Sequence, residues 1–259
     1  MIKIEALGRH NRIRHGFQGC HGGVSEGAYA SLNCGYGSGD DADLVAENRR
    51  RALAGMDAAD CILISARQQH TNIAIPVTEP WSRRQAPIAD AMATNKPGIA
   101  LGILSADCAP VLMADADAGV IGAAHAGWRG ALAGVTDALV ALMIELGAAP
   151  ENISAAIGPC IAPESYQVGP EFRQRFVSHA GANADLFLDC ETPGHVRFDL
   201  PGYLARRLAA RCLGEVAAVA IDTYPDDSGY FSYRRSQHRG ESAYGRAISA
   251  IALAAETTP

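Results

Sequence analysis

The middle of this 259-residue chain constrains it most. Ile99 to Leu104, Pro110 to Met113 and Val120 to Ala124 are three apolar runs of strand length separated by turn residues. His125-Ala126-Gly127-Trp128-Arg129-Gly130 follows them, and then Ala131 to Leu146 carries apolar residues at helical spacing up to Gly147. That pattern predicts one long helix with a glycine stop. Ile153 to Ile157 returns as a strand, Pro170 to His179 and Leu200 to Leu213 read as helices, and Val216 to Ile221 as a strand. Tyr244 to Leu253 is apolar and fits either type.

The first forty residues are rich in glycine and polar groups, above all between Gly16 and Gly39, and predict short strands joined by tight turns. Asp43 to Ala54 reads as a helix capped by aspartates, Cys61 to Ile64 and Ile73 to Val77 as short strands, and Trp81 to Pro87 as loop. Strands and helices interleave without strict alternation, so the expected class is α+β, with mixed layers rather than a barrel. No shift in composition marks a boundary, and the expectation is one domain spanning 1–259.

Hydrophobic residues make up 48% and charged residues 19%, enough apolar surface to bury a core and to exclude disorder. The net charge of −6 argues against a nucleic-acid or anionic-membrane partner. No window approaches the roughly 18 apolar residues of a membrane span, and Met1 to Glu5 lacks the apolar core of a signal peptide. Seven cysteines, scattered and without a C-x-x-C pair, read as free thiols in a reducing compartment, so the expected location is cytoplasmic.

Three residues at the ends of apolar runs carry the chemistry: His70 in Gln69-His70, Cys108 in Ala106-Asp107-Cys108-Ala109-Pro110, and His125. Two imidazoles and a thiolate form a familiar three-ligand zinc set. Their spacings of 38 and 17 positions suit strands brought together in a pocket, not a zinc finger. A cysteine among alanines also reads as a small buried hydrophobe, and a histidine at a strand end as a hydrogen-bonded structural residue. A Cys/His nucleophile pair stays open beside the metal. Asp107 is a carboxylate where a strand should be apolar. Arg129 beside Trp128, Arg49 in Arg49-Arg50-Arg51, and the basic cluster from Phe231 through Arg234, Arg235 and Arg239 to Arg246 are candidate anion ligands. The plain reading is a solvent face for Arg49-Arg50-Arg51 and a solvated strand end for the Phe231–Arg246 cluster. No G-x-G-x-x-G after a strand, P-loop, G-x-S-x-G or H-E-x-x-H is present.

Together these residues resemble the bacterial laccase-domain family, also called YfiH-like or multicopper polyphenol oxidase-like and regarded as purine nucleoside phosphorylases. The resemblance rests on Gly22-Gly23-Val24-Ser25, Ser31-Leu32-Asn33, Glu47-Asn48-Arg49, Gln69-His70, Ala89-Asp90-Ala91, Ala106 to Pro110, His125 to Gly130, Ile157-Gly158-Pro159-Cys160-Ile161 and Phe231 to Arg235. It implies zinc held by His70, Cys108 and His125, phosphorolysis of adenosine, inosine, guanosine and methylthioadenosine, and adenosine deamination. It also implies a β-sandwich-like core with outer helices, as in cytotoxic-necrotizing-factor-type cysteine hydrolases. His21 stands where the family commonly has arginine, and Asp222-Thr223 replaces a more usual Cys-Thr.

Multicopper chemistry needs roughly ten histidines, commonly in His-X-His pairs. This chain has eight histidines and no such pair, which leaves at most one adventitious copper in place of zinc. The resulting expectation is a zinc enzyme acting on purine nucleosides and phosphate. Asn48, Arg49, Gln69, Arg129, Arg234 and Arg235 are its candidate substrate ligands, and Asp107 orients a histidine or acts as base. The rivals are a cysteine-dependent amidase or peptidoglycan-editing hydrolase using Cys108, and a non-enzymatic protein with structural zinc. Oligomeric state is not legible.

Overall fold

In the computed structural model, which describes residues 1–255, two sheets pack face to face. The first has the order β1 (Ile13–Phe17), β13 (Ala247–Leu253), β5 (Ile99–Ser105), β2 (Ile62–Ile64). The second has the order β12 (Glu215–Ala218), β8 (Ser154–Ile157), β6 (Ala109–Asp115), β7 (Val120–Ala126), β4 (Ala91–Thr94), β3 (Ala74–Pro76). A small antiparallel sheet of β10 (Phe187–Asp189), β11 (Val196–Phe198) and β9 (Gln167–Val168) stands apart. The helices are α1 (Glu5–Gly8), α2 (Ala42–Gly55), α3 (Trp128–Ala133), α4 (Val135–Glu145), α5 (Pro170–His179), α6 (Leu200–Ala209) and α7 (Tyr233–Arg239). The class is mixed α+β, as expected.

The period of two along each central strand explains the layering. Leu112 and Ala114 of β6 face Leu101 and Ile103 of β5 and Ile251 of β13 between the sheets. Val111 and Met113 face the other way, onto Leu139 and Met143 of α4 and Leu204 of α6. Ala100 and Ala250, on the outer face of the first sheet, pack on Leu53 and Met56 at the end of α2. Strands covered on both faces read as continuous apolar runs. Burying each Leu, Ile or Met in these layers contributes about 1.5–3 kcal/mol.

The predicted helix over Ala131–Leu146 is two helices, α3 and α4. Gly134 between them adopts φ +93°, the left-handed region, and closes α3 before α4 begins. Periodicity did not reveal the break because the apolar spacing continues across it. Tyr244–Leu253 is strand over its last seven residues, β13, seated between β1 and β5 in the first sheet. The first forty residues hold one strand, β1, the short helix α1 and a 3-10 turn at Gly27–Tyr29, not a series of strands. Side-chain hydrogen bonds tie that segment down instead: Asn48 of α2 accepts from the Val24 amide and donates to Ser25 Oγ and the Asn33 carbonyl. α6 ends at Ala209 rather than Leu213, and β12 at Ala218 rather than Ile221.

Candidate active site and metal centre

Cys108 lies where the chain crosses from one sheet to the other. β5 ends at Ser105 in the first sheet, β6 starts at Ala109 in the second, and Ala106-Asp107-Cys108 spans the gap. His125 lies near the end of β7, paired in register with Pro110 of β6, so it is a close neighbour of Cys108. His70 precedes β3 on a loop. The ligand atoms of His70, Cys108 and His125 all lie within 4.8 Å of one another. Cys108 Sγ is 3.7 Å from His70 Nε2, and the two imidazole rings meet edge to face at 4.8 Å.

A single carboxylate organises both histidines. Asp90, fully buried just before β4, accepts from the successive amides of Gln69, His70 and Thr71 and from the Thr71 hydroxyl. It also faces His125 Nδ1 at 2.8 Å. Burial favours the neutral acid, but the His125 hydrogen bond and the Thr71 and Gln69 amides outweigh it and hold the carboxyl well below the usual range. Three consecutive amides wrapped on one anion form a nest and hold His70 at φ +59°. With Nδ1 engaged by Asp90, His125 presents Nε2 to the cluster.

The donor set fits a divalent ion. Zinc at ordinary bond lengths in a tetrahedral site would separate sulfur and nitrogen ligands by about 3.6 Å, close to the separation of Cys108 and His70. His70 is exposed, Cys108 half-buried and His125 buried, so the cluster is open on one side. Burial raises the Cys108 thiol pKa, yet the charge on His125 and hydrogen bonds from both imidazoles bring it down to about 6. His125 moves the opposite way, up to about 9, because the Cys108 thiolate and Asp90 outweigh its burial. The pair therefore favours thiolate and imidazolium in the absence of a metal.

The cluster opens onto a cleft of about 1020 Å³ whose walls include Arg49, Arg83, Arg129, Arg234 and Arg246 and the rings of Tyr36, Trp81, Trp128 and Tyr166. No helix among the described residues is long and apolar enough to cross a membrane. A family model described as "Multi-copper polyphenol oxidoreductase laccase" matches residues 14–254. The chain belongs to this laccase-domain family. A Streptomyces griseus protein named purine nucleoside phosphorylase is 38% identical over 225 residues, covering 86% of this chain and 89% of its own length. A Deinococcus radiodurans protein of the same name is 38% identical over 229 residues, covering 86% and 84%. Among solved structures, a Neisseria meningitidis protein superposes with a TM-score of 0.84 at 29% identity, covering 95% of this chain and 96% of its own. The Bacillus licheniformis protein YfiH also gives 0.84, at 28% identity, with 94% and 93% covered.

Despite the multicopper name, among the described residues of this laccase-domain chain only His70, Cys108 and His125 form such a ligating group. Of the candidate substrate ligands, Arg49, Arg129 and Arg234 line the cleft, and Asn48, Gln69 and Arg235 do not. Asn48 is buried in the N-terminal network, and Gln69 contributes its amide to Asp90. Arg235 spends its guanidinium on the carbonyls of Thr223, Tyr224, Pro225 and Tyr230. Arg234 donates to the Gln167 carbonyl and lies over the Tyr166 ring. The Phe231–Arg235 cluster, whose plain reading is a solvated strand end, lies largely on a helix, α7, capped by Ser232.

Asp107 does not orient a histidine. At φ +82° it accepts from Thr223 Oγ1 at 2.7 Å and from the Arg234 amide at 2.6 Å, and so ties α7 to the turn carrying Cys108. Burial raises its pKa against those hydrogen bonds. The histidine partner is Asp90, which carries the same signal as Asp107: a carboxylate among apolar strand residues. Both family departures lie off the cleft lining. His21 is exposed beside Cys20, and Asp222 accepts from the Ala162 and Tyr224 amides and the Ser165 hydroxyl.

Proposed function

We propose that this protein is a zinc-dependent purine nucleoside phosphorylase that also deaminates adenosine. The observation that carries the reading is the three-donor cluster His70/Cys108/His125 opening onto an arginine-lined cleft. The names of the relatives support it. Substrates on this reading are adenosine, inosine, guanosine and methylthioadenosine. When bound, zinc supplies Lewis-acid polarisation of a polar substrate group; copper would compete for the same donors.

The chain's own residues do the rest. Asp90 keeps a proton on His125 Nδ1 and holds the His70 loop in place. Trp128 and Tyr166 offer aromatic surface to a purine, and arginines neutralise phosphate. In phosphorolysis a phosphate oxygen bonds to the ribose anomeric carbon as the bond to purine N9 breaks. The purine leaves with that electron pair and takes a proton from water. In deamination, water adds at purine C6 and ammonia leaves, giving inosine from adenosine. Free cysteines throughout accord with a cytoplasmic location, and we take 1–259 as one domain.

Metal-replete protein incubated with adenosine and phosphate should release adenine and ribose 1-phosphate, and with adenosine alone inosine and ammonia. His70→Ala should abolish both. Absence of all four products from the wild type would overturn the reading.

The order Cys108, His125, Asp90 also matches a nucleophile, base and orienting acid, which favours a second reading as a cysteine-dependent amidase or peptidoglycan-editing hydrolase. A fold like that of cytotoxic-necrotizing-factor-type hydrolases belongs to that reading. It requires amide cleavage that survives chelation and is lost on alkylation of Cys108. Three donors, where a closed structural site uses four, weigh against a purely structural zinc.

A further inference from the structure

Beyond the His70/Cys108/His125 cluster, the same cleft gathers three arginines around the short segment Cys34-Gly35-Tyr36. Arg49 donates to the Cys34 carbonyl at 3.2 Å and to Ser65 Oγ at 2.8 Å. Arg83 donates to the Tyr36 carbonyl at 3.2 Å. The Cys34 amide donates to the Arg246 carbonyl at 3.0 Å, and a Cβ placed on Gly35 would lie 3.1 Å from Arg246 Cβ. The Tyr36 ring is 5.2 Å from the Arg49 guanidinium and 4.5 Å from that of Arg83.

Elsewhere on the surface, several arginines are neutralised by carboxylates. Arg50 and Arg51 pair with Glu47, and Arg239 with Asp226. Arg49, Arg83 and Arg246 find only carbonyls, hydroxyls and ring faces, and among the described residues no carboxylate pairs with any of them. Arg49 is only 9% exposed. Burying a guanidinium without a counter-ion costs several kcal/mol. An acidic chain with 28 carboxylate side chains supplies none here, which leaves the positive charge directed into the cleft.

We infer that Arg49, Arg83 and Arg246 form a cradle for a phosphate group at a second position in the cleft, separate from the cluster of His70, Cys108 and His125. Planar guanidinium forks match phosphate oxygens two at a time. Arg234, by contrast, is anchored to the Gln167 carbonyl and lies over the Tyr166 ring. The phosphate is either inorganic phosphate, the second substrate of phosphorolysis, or the ester of a phosphorylated nucleoside. The first source rests on the phosphorylase reading, whereas the cradle itself does not.

Calorimetric titration of metal-replete protein with inorganic phosphate, adenosine and adenosine 5′-monophosphate tests it, in wild type and in Arg83→Gln and Arg246→Gln. Arg83 lies on an exposed turn and Arg246 is half-buried, so Arg49 is left to hold the fold. Each variant should weaken binding of the phosphate group at least tenfold, with zinc content and adenosine affinity within twofold of wild type. If inorganic phosphate is the ligand, it binds together with adenosine. If the ester is, the monophosphate binds at least tenfold tighter than adenosine and displaces phosphate, and Arg246→Gln removes that advantage. Either pattern supports the cradle. Unchanged phosphate binding in both variants, or a loss seen only in Arg129→Gln or Arg234→Gln, overturns it. Arginine-dependent phosphate binding without release of adenine would retain the cradle and refute the phosphorylase. Undiminished phosphorolysis in both variants would retain the phosphorylase and exclude inorganic phosphate as the cradle's ligand.

Discussion

Oδ1 of Asp90 lies 2.8 Å from Nδ1 of His125, and the same carboxylate receives the amides of Gln69, His70 and Thr71. One buried acid thus sets the ring of one imidazole and the backbone of the other. Asp90→Asn keeps the shape but replaces one acceptor oxygen with a donor that opposes an N–H. Zinc affinity, measured by competition with a chromophoric chelator, should fall about 10–100-fold with the fold intact. An unchanged affinity would show that the rings need no such support.

Gly127 leaves room for the cluster rather than for an unusual backbone. A Cβ there would lie 2.7 Å from both Cys108 Sγ and His70 Cδ2. Gly127→Ala should therefore cost about 1–3 kcal/mol of stability and disperse the donors. Metal analysis of the purified variant should find well under one equivalent of zinc. A full equivalent would mean that the two side chains can move aside together.

Gly134 tests the helix break. An alanine forced to φ +93° should destabilise the protein by about 1–2 kcal/mol, read as a lower urea midpoint at unchanged m-value. Were α3 and α4 able to fuse into one helix, the same substitution would instead stabilise.

His15 supplies a pH signature remote from the cluster. It is buried, and its Nε2 accepts from the Ile4 amide at 2.8 Å. Burial and then the Lys3 charge lower its pKa to about 4. The unfolded chain therefore takes up a proton near pH 6.5 that the native state refuses until about 4. The stabilisation is complete above pH 6.5 and is lost as pH falls through that window. Denaturation at pH 7 and pH 4.5 should show the advantage of wild type over His15→Gln shrinking by about 1–3 kcal/mol. A constant gap would refute it.

Local order was legible where local physics sets it. Pro170–His179 is helical over the span its pattern predicts, with proline at the first position, where its missing N–H costs nothing. The central strands were legible because burial on both faces removes polar residues from them. His70, Cys108 and His125 were marked by reactive side chains at the ends of apolar runs. The break at Gly134 was hidden because a glycine within an apolar period looks the same whether φ is negative or positive.

The sequence by itself determined α2, α5, the long central strands β5, β6 and β7 and the types of reactive side chain, since these follow from periodicity and chemistry within a few residues. Only the tertiary structure decided that Asp90, not Asp107, serves His125, and that Arg235 is spent on carbonyls while Arg49, Arg83 and Arg246 face the cleft without a carboxylate. The partner of a charge depends on which distant backbone passes within about 3 Å of it. That is settled when the sheets pack and the turn at Cys108 crosses between them, and no spacing along the chain encodes it.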